Sequence, residues 1–172
     1  MKDGLNALYE RRSVRKYKSE QISDGELEQI LKAGLCAPSA MNRQPAIIIA
    51  VQDKDTIAYM SKLNAQVMGS NGDPFYGAPT VLVVLAEADN TNAVKDGSLV
   101  LGNLMNAASE LGIGSCWVNR AQEVFASAEG KSLLEKWGVQ GDYIGVGNCI
   151  LGYPAETPAA KPIKEIRLYY VR

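Results

Sequence analysis

Apolar positions along this chain follow two periods, and each period marks a kind of element. Leu27, Ile30, Leu31 and Leu35 recur at steps of three and four, and Ser23 with Glu26 three residues later forms a capping box. The spacing predicts a helix that opens at Ser23 and stops before Pro38. A shorter helix is predicted from an N-cap at Asp3, with Leu5, Leu8 and Tyr9 on one face, to a stop near Ser13. Ile57, Met60, Leu63 and Val67 give Thr56 to Met68 the same helical spacing, and Ser132 to Trp137 reads as a short helix. Asn92 to Leu111 is the longest helical segment. Its Leu99, Val100, Leu101, Leu104, Met105, Ala107 and Ala108 cover more than one face, and Gly112 suits its C-terminal cap. A helix apolar on several sides in so small a domain is expected to pack partly on a second subunit.

The other pattern is the short unbroken apolar run. Ala46 to Val51, with three consecutive isoleucines, Thr80 to Ala86, Ser115 to Val118 and Tyr143 to Leu151 read as strands. The first, second and fourth are expected to be buried on both faces. Between the first two strands, the segment Ser70 to Pro79 is an irregular loop of ligand size rich in turn formers. After Gly152-Tyr153-Pro154 a proline-rich arm runs to Pro162, and a final strand is expected near Ile166 to Val171, paired within the subunit or with a partner.

Length and composition narrow the class. The 172 residues suit one domain spanning the whole chain, 1–172, without repeats or linkers. With 18 basic against 19 acidic residues there is no global field to hold nucleic acid, so any anion must be gripped by a local basic cluster. The N-terminal residues carry charges throughout, and no run reaches the ~18 apolar residues of a membrane span, so neither export nor insertion is expected. Cys36, Cys116 and Cys149 lack finger or CxxC spacing, which points to a reduced cytoplasmic protein without disulfides or a structural metal.

The chain contains no histidine. That removes Ser-His-Asp and Cys-His catalysis, histidine general bases and the commonest metal ligand together. A bound cofactor is the economical source of chemistry.

Three segments carry candidate chemistry. Arg11-Arg12-Ser13-Val14-Arg15 gathers three guanidinium groups and a hydroxyl where helix gives way to extended chain, which suits a phosphate monoester and equally a solvated basic helix end. Residues Ala37 to Pro45 combine small, rigid and amide-bearing side chains, with Asn42 and Gln44 offering the donors and acceptors that a pyrimidine edge requires; a structured connection closed by prolines reads equally well. In Gly112 to Arg120 the glycines let backbone approach a planar ligand, while Trp117 and Cys116 suit core packing. Two decoys fail. Gly130-Lys131-Ser132 would need a glycine at Phe125 to complete a phosphate loop, and Gly145-Val146-Gly147 has Ile150 where GxGxxG demands glycine.

Taken in order, Arg11 to Tyr17, Ala37 to Pro45, the alanine-rich helix ending in Leu111 to Val118, and Leu151 to Pro154 before a basic proline-rich tail resemble the nitroreductase family over nearly the whole chain. The resemblance implies an α+β fold in α/β/α layers, with a central mixed, largely antiparallel sheet flanked by helices, in an intertwined homodimer with FMN at the subunit interface. It implies that Arg11, Arg12, Ser13 and Arg15 hold the phosphate and ribityl chain. Pro38, Ser39, Ala40, Asn42 and Gln44 then come from the other subunit, Asn71 meets the pyrimidine end, and Trp117, Val118 and Asn119 pass beside the reactive edge. Lys161, with Lys164 as second choice, matches the basic tail residue that closes the phosphate site, although Ala160-Lys161-Pro162 departs from the adjacent basic pair of many relatives. The activity implied is hydride transfer from NAD(P)H through flavin N5 to nitroaromatics, quinones or similar small acceptors. The alternatives are a non-catalytic FMN carrier or sensor, or a specialised flavin enzyme of the dehalogenase or desaturase type.

Overall fold

Residues 4–160, Pro162 and 168–172 are described by the structure, a computed structural model. In chain order the elements are α1 (Gly4–Glu10), α2 (Asp24–Leu35), β1 (Ala46–Val51), α3 (Lys54–Met68), β2 (Thr80–Glu87), α4 (Ala93–Glu110), β3 (Gly114–Val118), α5 (Ala121–Ala126), α6 (Ala128–Lys136) and β4 (Tyr143–Gly152). The fold depends on β2, whose residues from Val81 to Ala86 are each 0% exposed. Their side chains alternate. Val81, Val83 and Leu85 enter one core with Met60 and Leu63 of α3, Val124 and Phe125 of α5 and Leu133 of α6. Leu82, Val84 and Ala86 enter the other with Leu27 and Ile30 of α2 and Leu101 and Leu104 of α4. The period-2 geometry of a strand thus puts one helical layer on each face of the sheet, an α/β/α sandwich.

The sheet order is β1-β2-β4-β3, and all three pairings are antiparallel. Parallel contact enters through an isolated bridge between Ser13 and Ser115. The glycines of both decoy motifs serve packing. A Cβ on Gly145 of β4 would lie 2.2 Å from the Ala121 carbonyl oxygen, and one on Gly130 would lie 2.0 Å from that of Val124. Both glycines therefore let α5 sit close, against β4 and against α6 respectively.

The expected helices and strands form, with four differences. α5 has no counterpart among the expected elements because its six residues are too few to display a period. β1 was expected to be buried on both faces; as an edge strand it is only half-buried from Ala46 to Ile49. α4 buries Gly97, Val100, Leu101, Leu104 and Ala108 but leaves Val94 and Leu99 exposed. Leu168 to Val171, expected in a final strand, lie in no strand of the protomer and are exposed; Ile166 falls outside the described residues, as does the Asp3 cap. The apolar face of α1 also looks outward: Leu5, Leu8 and Tyr9 are exposed while Ala7 is buried.

The capping box of α2 is present, with the Glu26 amide donating to Ser23 Oγ and the Ser23 amide donating to Glu26 Oε2. Tyr153, just beyond β4, donates its hydroxyl to the same Glu26 oxygen at 2.7 Å, so one carboxylate ties the helix start to the sheet. The Ser23 hydroxyl and then the Tyr153 hydroxyl hold the Glu26 carboxyl below its ordinary 4.5. A depressed carboxyl contributes stability above that ordinary value and loses it as pH falls through the lower folded value. Ser23→Ala is expected to cost about 1 kcal/mol near neutral pH. In urea titrations the deficit should shrink once Glu26 is protonated in both states.

Candidate functional site

The arginine segment leaves α1 as extended chain and runs beside the β3 edge. The Val14 amide donates to the Ser115 carbonyl at 3.0 Å, and the buried Val14 side chain sits over Gly114. This docking distributes the three arginines. Arg11 is half-buried, and its charge partly opposes the burial and then the Cys116 effect that push the fully buried Cys149 thiol well up. Arg12 folds back, donating to the carbonyls of Tyr9 and Arg11 at 2.8 Å each, which is the helix-capping role. Arg15 projects outward with its guanidinium carbon 6.0 Å from the Tyr76 ring centroid, and its amide donates to Glu156 Oε1 at 2.6 Å.

A cleft of about 370 Å³ opens beside this segment, walled by Arg11, Arg12, Gly112, Gly114, Thr157 and Pro158 among others. Glu10 and Glu156 also line it. The arm up to Ala160 forms one rim, which leads the chain toward Lys161; Lys161 and Lys164 themselves lie outside the described residues. Trp117 and Val118 lie on β3 in line with the arginine segment, and Asn119 is exposed at the strand's exit. Asn71 belongs to the same loop as Tyr76, so that loop meets the far end of the arginine segment.

The second segment lies elsewhere in the protomer. Pro38, Ser39 and Gln44 line a separate cavity of about 170 Å³ with Asp96 and Val100 of α4. Residues 40–42 form a single 3-10 turn, which the sequence did not suggest. Ser39 Oγ accepts from the Gln44 amide at 2.9 Å, and Asn42 Oδ1 accepts from Gln44 Nε2 at 2.9 Å. That internal bond leaves the Asn42 Nδ2 donor and the Gln44 Oε1 acceptor for an outside partner. Beneath the turn, Asp96 is 5% exposed and its carboxylate accepts from the Ala40 amide. Asp96 was missed from sequence because it reads as an ordinary acidic residue in a helix's first turn.

Backbone strain marks the same places. Met41, Asn42 and Gln44 have φ of 54°, 53° and 50°, Tyr76 has 54° and Arg120, directly after Asn119, has 79°. These are the five non-glycine residues with positive φ among those described, and every one sits in a segment carrying a candidate site residue. The left-handed region costs about 1–2 kcal/mol per L-residue, so the surrounding structure must hold these positions in place.

A sheet held between helical layers, with an arginine-rich extended segment along its edge and an amide-bearing turn set apart, has the architecture of a nitroreductase-type subunit. The chain belongs to the nitroreductase family, whose sequence profile matches residues 8–153. It is 35% identical over 162 residues to an Archaeoglobus fulgidus protein provisionally named NADH dehydrogenase/NAD(P)H nitroreductase, covering 91% of this chain and 88% of that one. The FMN reductase [NAD(P)H] of Bacillus subtilis is 25% identical, over 94% of this chain and 70% of its own. Among solved structures, the nitroreductase with bound FMN from Bacteroides fragilis superposes with a TM-score of 0.91 at 27% identity, covering all of both chains. The FMN-bound nitroreductase from Desulfitobacterium hafniense gives 0.89, also at 27% identity and full coverage of both.

Asp96→Ala would leave the half-buried Ala40 amide without its acceptor, a cost of about 1 kcal/mol. Hydrogen exchange should show the amides of Ala40 and Gln44 losing protection, while Asp96→Asn, which keeps an acceptor, preserves it. Unchanged exchange in the alanine variant would show that Asp96 does not hold the turn.

Proposed function

We propose that this chain is an FMN-dependent oxidoreductase that works as a homodimer and passes hydride from NAD(P)H to nitroaromatics, quinones or similar small acceptors by a ping-pong mechanism, in a reduced cytoplasmic setting. The observation that carries this reading is the arginine segment docked along the β3 edge, in a chain that superposes throughout on an FMN-bound nitroreductase. From Arg11 to Arg15 the extended chain spans roughly 13 Å. Arg11 and Ser13 then serve the phosphate and ribityl chain, while Arg15, expected to join them, lies beside the loop of Asn71 and serves the ring end instead. Arg12, already committed to capping α1, contributes less.

FMN, when bound, would supply the hydride chemistry between NAD(P)H and the acceptor, with the protons that the reduced acceptor takes up drawn from solvent, so a chain without histidine can support it. The protein's work is placement. Asn42 and Gln44 lie in a different part of the protomer from Arg11, and residues 38–44 of a second copy supply the bracing amides. The outward apolar faces support that arrangement. Leu5, Leu8 and Tyr9 of α1, Met41, Leu99 and the tail residues Leu168 to Val171 are all exposed in one protomer and are covered in the dimer. Among the described residues no helix is long and apolar enough to cross a membrane.

Arg11→Ala combined with Ser13→Ala is expected to yield protein purified largely without flavin, because a charge-assisted hydrogen bond contributes about 1.5–3 kcal/mol and two groups are lost. Wild-type protein should be a yellow dimer by sedimentation, bleached anaerobically by NADH or NADPH. A yellow protein that neither nicotinamide bleaches would instead be a carrier or sensor.

A further inference from the structure

We infer that Tyr76 is a positioning residue for Arg15, holding its guanidinium at the ring end of the flavin and so setting how strongly the site favours the reduced cofactor. The inference rests on the FMN reading above and adds a residue that it does not use.

Tyr76 is placed by a loop that is pinned at every turn. Asp73 Oδ1 accepts from Ser61 Oγ at 2.5 Å and from the Phe75 amide at 2.9 Å, and its Oδ2 accepts from the Gly77 amide at 2.6 Å. The Asp73 carbonyl accepts from the Tyr76 amide at 3.2 Å. Phe75, 1% exposed, anchors the loop in the core, and two consecutive left-handed residues, Tyr76 at 54° and Gly77 at 67°, turn the next ring outward. A bulky aromatic is a poor choice for that backbone, and Tyr76 still leaves 43% of its surface exposed. What the ring does meet is the Arg15 guanidinium, across its face at 6.0 Å. Arg15 is itself exposed, its backbone fixed by Glu156. An exposed arginine samples many rotamers, and an aromatic face beneath it selects among them through cation–π attraction. Reduction places negative charge at the pyrimidine edge of a flavin, so a cation fixed there binds the reduced form more tightly than the oxidised one.

The test is the two-electron midpoint potential of holoprotein carrying Tyr76→Phe, Tyr76→Leu or Tyr76→Gly. Phenylalanine keeps the π face and should keep the wild-type potential. Leucine and glycine should lower the preference for reduced over oxidised FMN by about threefold to tenfold, a fall of about 15 to 30 mV. The glycine variant suits the left-handed backbone, so its melting temperature should not fall, which separates the shift from a folding defect. In an Arg15→Gln background, Tyr76→Leu should produce no further change. If FMN binds all variants and leucine leaves the potential unmoved, or if its effect persists without Arg15, the positioning role is wrong while the flavin reading stands. If wild-type protein takes up no FMN, both fall.

Discussion

One backbone hydrogen bond organises the candidate site, the donation from the Val14 amide to the Ser115 carbonyl. It docks the chain after α1 as a short parallel rail beside β3, with Val14 buried over Gly114. Side chains of an extended segment alternate, and successive positions face different surroundings. Ser13 and Arg15 therefore flank the buried Val14 on the opposite face, and Arg15 reaches the loop before β2. Without that rail the same arginines would be the solvated basic helix end that their sequence equally permits.

The strain in the molecule has a consistent logic. Regular elements carry the stability, with β2 buried on both faces and each helical layer packed on its own side chains. The unfavourable backbone is placed in three connections, around Met41 to Gln44, at Tyr76 and at Arg120, each pinned to the rigid scaffold. Asp96 beneath the first and Asp73 within the second act as carboxylate anchors, accepting backbone amides that would otherwise be unpaired. A loop so held keeps its shape before any ligand arrives, and preorganisation lowers the entropy that binding would otherwise cost.

The protomer also has apolar surface that serves no purpose within it. In the proposed dimer, the outward faces of α1 and α4 and the exposed tail become interface, and the amides of Asn42 and Gln44 meet the arginine rail of a second copy. That arrangement would explain why apolar positions that pattern as core, such as Leu5, Leu8 and Leu99, are exposed in a single subunit.

Most elements were legible because they announce themselves locally. The capping box at Ser23, the apolar runs of β1, β2 and β4 and the three- and four-residue spacing in α2 and α3 are short-range patterns, and the order of motifs was enough to suggest the family. α5 was not legible, since six residues show no period, and neither was the difference between Arg11 and Arg12, which are adjacent and identical in sequence. Only the fold sends the Arg12 guanidinium back onto the carbonyls at the helix end. Asp96 likewise became visible only when α4 packed beneath residues 39–44, 56 positions from its partner Ala40. Local pattern determined which elements form and what chemistry is available; tertiary packing decided which of those side chains meet, because contacts between residues distant in sequence leave no periodic trace.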